Sequence, residues 1–276
     1  KLLLATSALT LMAGAASAEI ALSGSARMGL TYNGTDTEFS SRVRIVFTAS
    51  GETDTGLSFG ASMRADQNGG NSDGTANGDS TVFISGAFGK LTMGDAGNAA
   101  DALVGQVSGV GYGPNDGEQE IGWLGTEKTG VLYEYSTGAF TFALGSSQLN
   151  AAAGSDTTSI AVKYAGSSFS IALGYEDSST DAQISAKGTA TFGGATVALK
   201  LVDRDSEADM AAALSVDYTT GATTLTAFAT DNDEFDGVDR FGIGAAYDLG
   251  GGAAVKAGVI DNGTDTIGDI GLTFSF

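Results

Sequence analysis

The chain has 276 residues, of which 33 are acidic and 13 basic, so its formal net charge is −20. Glycine occupies 42 positions and proline one, while cysteine and histidine are absent. Without those two residue types there is no disulfide framework, no His-dependent triad and no Cys/His zinc site. The acidic excess also argues against nucleic acid as a partner, because phosphate binding requires clustered Lys and Arg.

The N-terminal segment has the pattern of an export signal. An apolar run over 2–12 follows a lysine, and small residues lead to Ala18 directly before Glu19, as at a signal-peptidase site. We therefore predict a signal peptide at 1–18, cleavage between Ala18 and Glu19, and one mature β-barrel domain over 19–276. A short transmembrane anchor is the alternative, but an anchor needs about 20 apolar residues.

Beyond the leader, apolar and polar residues alternate along many short segments. Val43, Ile45 and Phe47 share one parity, with Arg42, Arg44 and Thr48 on the other, and a similar alternation runs from Ile270 to Phe276. A period of two predicts β-strands. Seven short glycine-rich turns and eight longer polar connections alternate along the chain, which predicts sixteen strands. Because 26 of the 33 acidic residues fall in the long connections, one rim of the sheet should be strongly negative.

The polar face of these strands carries most of the basic residues. Ten of them lie on the parity opposite the large apolar side chains. A sixteen-stranded sheet either closes or splits, and a closed one is too wide for side chains to fill. The polar face must then line water and the apolar face must meet lipid, where closure satisfies every backbone group. The sequence thus predicts an all-β protein, a sixteen-stranded antiparallel transmembrane β-barrel.

Several motifs add a family resemblance. They are LSGSARMG at 22–29, FSSRVR at 39–44, SGAFGKLTMGDA at 85–96 and YDLGGGA at 247–253. Joined to the terminal Phe276, they resemble the alphaproteobacterial general porins, the trimeric sixteen-stranded type of purple non-sulfur bacteria. The resemblance implies a homotrimer in a Gram-negative outer membrane that passes small hydrophilic solutes and ions by diffusion. It also implies that Phe276 ends the signal by which the barrel assembly machinery recognises its substrates.

The third long connection, 95–128, is the candidate functional segment, because a loop of this length is usually functional. The resemblance implies that it folds inward and narrows the channel, so that its acids face basic residues across the pore. Such a field would bias ion selectivity and orient polar solutes. The predicted basic side is Arg27, Arg42, Arg44, Arg64 and Lys90. The predicted acidic side is Asp95, Asp101, Asp116, Glu118, Glu120 and Glu127. A solvated loop that faces solvated strands is the alternative.

Three further expectations concern the loops. The only tryptophan, Trp123, is expected to pack the third loop on the barrel wall rather than to bind solute. No cofactor is expected, although Ca²⁺ would suit the acidic segments 66–79 and 231–237; the second begins like a calcium loop but has Phe235 at its fifth position. The same acids would bridge through divalent cations to lipopolysaccharide phosphates, and 66–79 would contact a neighbouring subunit.

Two other functions stay open at this point. A substrate-specific facilitator on the same barrel would need an aromatic or polar row along the lumen, whereas most aromatic residues here share the lipid parity. A soluble exported acidic β adhesin or surface-layer protein would show tandem repeats, and no fixed period is present. Enzymatic activity is not expected, since the carboxylates are scattered over loops without a spaced catalytic pair.

Overall fold

The structure, a computed structural model, describes residues 19–69, 80–115, 117–125, 130–147, 156–232 and 237–276. These residues form sixteen strands and one short helix, α1 Ala99–Leu103. The strands are β1 Glu19–Tyr32, β2 Thr37–Glu52, β3 Ser58–Gly69, β4 Ser80–Gly86, β5 Gly89–Gly94, β6 Gly130–Thr137, β7 Phe140–Ser147, β8 Thr158–Ala165, β9 Phe169–Asp177, β10 Ala182–Phe192, β11 Ala195–Arg204, β12 Ala211–Thr220, β13 Thr223–Asp231, β14 Arg240–Gly250, β15 Ala253–Asp261 and β16 Thr266–Ser275.

Every strand pairs antiparallel with its neighbours in the chain, and β1 pairs with β16 to close the barrel. The closing register runs from Ser25 opposite Ser275 to Tyr32 opposite Gly268. Phe276 extends this pairing, because its N–H donates to Gly24 O at 3.0 Å and its carbonyl accepts from Gly24 N at 2.7 Å. The predicted sixteen-stranded closed barrel is confirmed.

The outer face of the barrel is apolar. Large side chains on the predicted lipid parity are exposed there, for example Ile20 (73%), Phe39 (90%) and Ile243 (65%). Such an apolar band on a closed sheet suits lipid and not water. None of the described residues forms a helix long and apolar enough to cross a membrane.

The short turns explain part of the glycine surplus. Gly138, Gly193 and Gly221 each have a positive φ of 58–60° in two-residue turns. Two-residue hairpins need residues in the left-handed region so that the turn matches the twist of the strands. Short turns of this kind occupy the periplasmic rim of outer-membrane barrels.

The predicted leader at 1–18, including Ala18, lies outside the described residues, so the cleavage site stays a prediction.

Candidate functional site

The connection between β5 and β6 leaves the wall well inside the barrel. We call residues 95–129 loop 3. β5 has only 6 residues and β4 has 7, whereas β1 and β2 have 14 and 16. At roughly 3.3 Å per residue, β5 rises only about 20 Å from its short turn. Loop 3 therefore starts part-way up the lumen.

Helix α1, at the start of loop 3, packs on a row of small residues of the inner wall. The row consists of direct register partners on three successive strands: Ala143 on β7, Ala161 on β8 and Gly174 on β9. Ala99 and Ala100 of α1 are fully buried against this wall. A Cβ on Gly174 would lie only 2.7 Å from the Ala100 Cβ, so small side chains are what lets the helix approach.

Glu176, at the end of β9, holds both ends of loop 3. It is fully buried, and its Oε1 accepts hydrogen bonds from Asn98 Nδ2 at 3.0 Å, Leu124 N at 3.1 Å and Gly125 N at 3.2 Å. Its Oε2 accepts from Gln183 Nε2 at 3.0 Å. The sequence pattern predicts that Glu176 belongs to a long polar connection, 176–181, and this is wrong because Glu176 is a residue of β9. A buried carboxylate is stable here because several donors satisfy it.

Lys200, on β11, holds the middle of loop 3. It is fully buried, and its Nζ donates to Gln106 Oε1 at 2.7 Å and to Ile121 O at 3.0 Å. The ammonium also lies 3.6 Å from the centroid of the Trp123 ring, a cation–π distance. The expected packing of Trp123 on the wall is confirmed. Lys187 adds a third bond, from its Nζ to Gln106 O at 3.0 Å.

The tip of loop 3 reaches β16 and β1. Tyr112 N donates to Asp269 Oδ1 at 2.9 Å, and Arg27 Nη1 donates to Gly113 O. Burial raises the pKa of the Tyr112 phenol above its ordinary value, so the side chain is neutral near pH 7. Val110 packs in an apolar inner cluster with Phe228, Ile260 and Ile267. The predicted inward fold of the loop is thus confirmed.

Four arginines lie on the inner face of β1–β3, and we call them the arginine patch: Arg27, Arg42, Arg44 and Arg64. Arg27 is the register partner of Arg42. Asp66 lies between two others, 2.9 Å from Arg44 Nε and 3.1 Å from Arg64 Nε. The expectation that Asp66 belongs to a long connection is wrong, since it is a β3 residue paired with Arg44. The patch thus places four guanidiniums on one wall, and the Asp66 carboxylate binds two of them.

The predicted acids of loop 3 fall into different environments. Asp101 and Glu120 are exposed. Glu118 forms an ion pair with Arg240 of β14, with Oε2 2.8 Å from Nε. Asp95 is the first loop residue, and its N–H donates to Ser80 O at 2.9 Å. Asp116 and Glu127 lie outside the described residues.

Lys90 lies far from the arginine patch, contrary to the prediction that it belongs to the same basic side. It pairs with Ser85, which is the register partner of Ser58, six residues along β3 from Arg64. Six residues correspond to about 20 Å along a strand. Lys90 lies near the short-turn rim instead, with its Nζ 5.1 Å from the centroid of the Phe83 ring.

Comparison with known proteins gives the family. The sequence profile of the Gram-negative porins matches residues 5–266. The chain belongs to the Gram-negative porin family. A porin of Rhodobacter capsulatus is 39% identical over 304 residues, covering 94% of this chain and 100% of that protein. A porin of Fuscovulum blasticum is 28% identical with the same coverage.

Solved porin structures match the fold. A substituted variant of Rh. blastica porin superposes with a TM-score of 0.82 at 25% identity, and a porin refined at 1.8 Å with a TM-score of 0.78 at 36% identity. Both cover 94% of this chain and 100% of the other. This porin is accordingly a multi-pass β-barrel of the outer membrane, a member of a family of oligomeric channel proteins that serve general diffusion.

Calcium binding by this porin stays a prediction. In the part of the chain that the structure describes, no three His, Cys, Asp or Glu residues are grouped as metal ligands would be. Of the two acidic segments, 70–79 and 233–236 lie outside the described residues. Asp66 is engaged with the arginine patch.

Replacing Gly258→Ala should narrow the channel. A Cβ at this β15 position would lie 2.6 Å from Gly111 N and 2.9 Å from Gly111 Cα, so the loop tip must move into the lumen. Overpacking of this kind costs about 1–3 kcal/mol. We expect a lower single-channel conductance in planar bilayers. The control is Gly188→Ala, where an added Cβ meets nothing within 4 Å; equal conductance of the two variants would contradict the expectation.

Proposed function

We propose that this porin passes small hydrophilic solutes and ions through an opening between loop 3 and the arginine patch. The observation that carries the proposal is which strands of the barrel hold loop 3 and which strands carry the arginines. Glu176 and Lys200, which hold loop 3, lie on β9 and β11, whereas Arg42, Arg44 and Arg64 lie on β2 and β3. β11 lies eight positions from β3 in the sixteen-stranded barrel, so the wall that holds the start and middle of loop 3 is opposite these three arginines, while the loop tip reaches Arg27.

The charges on the two sides of this opening differ in sign. Among the described residues of loop 3, the carboxylates of Asp101 and Glu120 are exposed. Arg44 and Arg64 remain partly exposed, at 28% and 33% of their side-chain surfaces. Opposite charges across a water-filled gap create a transverse field, which orients polar solutes and makes permeation depend on ionic charge. Diffusion through such a gap requires no catalytic group and no bound cofactor.

The proposal extends to the assembly. The porin would be exported with cleavage before Glu19, inserted by the barrel assembly machinery with Phe276 in its recognition signal, and assembled as a homotrimer surrounded by lipopolysaccharide. Family membership and the exposed apolar outer face support this. Cross-linking or native mass measurement in detergent tests the trimer, and N-terminal sequencing of the exported protein tests the cleavage site.

Planar-bilayer conductance of the purified protein tests the function. We expect stepwise, ohmic conductance in multiples of three, and liposome swelling rates that fall steeply as the sugar becomes larger. No conductance at any voltage would overturn the proposal. A swelling rate that saturates for one solute at low concentration would instead indicate a substrate-specific facilitator.

A further inference from the structure

A row of inner lysines borders loop 3 on its periplasmic side. Lys163 on β8 is the register partner of Ala172, Ala172 of Lys187 on β10, and Lys187 of Lys200 on β11. The row lies two residues nearer the short turns than the small residues that contact α1, since Ala161 precedes Lys163 by two on β8. Two residues along a strand correspond to about 7 Å. The lysines therefore line the wall just below the loop.

The three lysines differ in how their charges are satisfied. Lys200 is enclosed by loop 3. Lys187 is half-buried and donates to the neutral Gln106 carbonyl at 3.0 Å. Lys163 is half-buried too, and within the described residues no hydrogen bond or ion pair involves it. On the neighbouring strands toward β6, the first acidic residue on the inner face is Glu134, two strands away. Glu134 is the register partner of Lys90.

Lys163 and Lys187 thus place two ammonium groups side by side, and no carboxylate of the described residues forms an ion pair with either. The single strand between them contributes the small, buried Ala172. With strands about 4.8 Å apart, the two Cα atoms are about 10 Å apart. Lysine side chains are long and flexible enough for both ammoniums to contact one small anion held between them. Ammonium–oxyanion hydrogen bonds are among the stronger ones.

We propose that Lys163 and Lys187 form a binding site for phosphate-type anions on the periplasmic side of loop 3. The inference rests on the proposed function, because the anion reaches the site through the water-filled lumen. The site lies on the wall opposite the arginine patch. An anion that crosses the opening would therefore leave one positive wall and meet a second, which raises its local concentration below the loop.

The test uses phosphate as a blocker of chloride current in planar bilayers. Inorganic phosphate, titrated at constant pH and ionic strength, should reduce the current of the unmodified porin in a saturable way. The variant Lys163→Gln should raise the half-blocking concentration about fivefold, the effect of losing one close charge contact in water. Lys163→Arg should restore the block, and a phosphorylated sugar should compete where the parent sugar does not.

The matched control is Lys256→Gln, which removes a half-buried inner lysine on β15. Equal shifts in Lys163→Gln and Lys256→Gln would mean that phosphate senses only lumen charge, and would overturn the site. Unchanged block in Lys163→Gln would overturn it as well. Either result leaves normal stepwise chloride conductance, whereas failure of the proposed function would remove that conductance in the unmodified porin.

Discussion

Replacing Lys200→Met is expected to release the middle of loop 3 from the wall and to change the fluorescence of Trp123. Methionine replaces the unbranched apolar stem of lysine but has no donor for Gln106 Oε1 or Ile121 O. It also loses the cation–π contact with Trp123. Hydrogen bonds of a charged donor contribute about 1.5–3 kcal/mol and a desolvated cation–π contact up to about 2 kcal/mol.

The substitution also has a stabilising effect, so its result should be seen in the position of loop 3 rather than in the free energy of unfolding. Methionine removes the cost of burying the ammonium, and Gln106 Nε2 still donates to Ile121 O at 3.0 Å. The free energy of unfolding should therefore change little, while the position of the loop is lost. Trp123 is the only tryptophan in the chain, so red-shifted emission and stronger quenching by iodide would report on the loop alone. Open-channel current noise should rise with them.

The control for this variant is Lys256→Met, which changes an inner lysine on β15. Its emission, quenching and current noise should match those of the unmodified porin. If Lys200→Met gives the same values too, the contacts of Lys200 do not hold the loop in place.

Replacing Arg42, Arg44 and Arg64 with serine should shift ion preference strongly toward cations. The three substitutions remove three positive charges from the patch and leave the Asp66 carboxylate without Arg44 and Arg64. One unit charge at close range in water is worth about 1 kcal/mol, so three together should raise the cation-to-anion permeability ratio at least about tenfold. Reversal potentials in a low-salt KCl gradient measure this, because salt screens exposed charges.

Two controls separate charge position from folding. Lys90→Ser removes an inner positive charge about 20 Å nearer the short turns, and it should shift the reversal potential much less. Adding Asp66→Asn to the triple variant removes the unpaired carboxylate, which protects the fold and should return the preference part of the way. If conductance and ion preference both stay unchanged in the triple variant, the arginines do not line the opening.

The barrel itself could be predicted from sequence because one physical rule repeats along it. Lipid outside and water inside impose a period of two on every strand. The alternation of turns and long connections then sets the strand number. Arg42, Arg44 and Arg64 could be assigned to the inner face for the same reason, since each alternates with large apolar residues.

The contacts of loop 3 could not be predicted in the same way. Glu176, Asp66 and Arg204 stand near strand ends, where a charged residue looks like part of a polar connection. Each is a strand residue whose charge is satisfied inside the barrel, by loop N–H groups, by arginines or by Gln183. The partners of Lys200 come from loop 3, where apolar and polar residues follow no repeating pattern. The spacing of Gln106 and Ile121 therefore does not predict the contact.

The most direct test of the constriction is thiol labelling of Asp101→Cys during current recording. The chain has no cysteine, so a bulky thiol reagent reacts only at this exposed position of α1. The account predicts that labelling lowers the single-channel current stepwise, once per subunit. Labelling Asp205→Cys, exposed on the long connection after β11, should leave the current unchanged. Complete labelling at position 101, verified by mass, with an unchanged current would contradict a channel narrowed by loop 3.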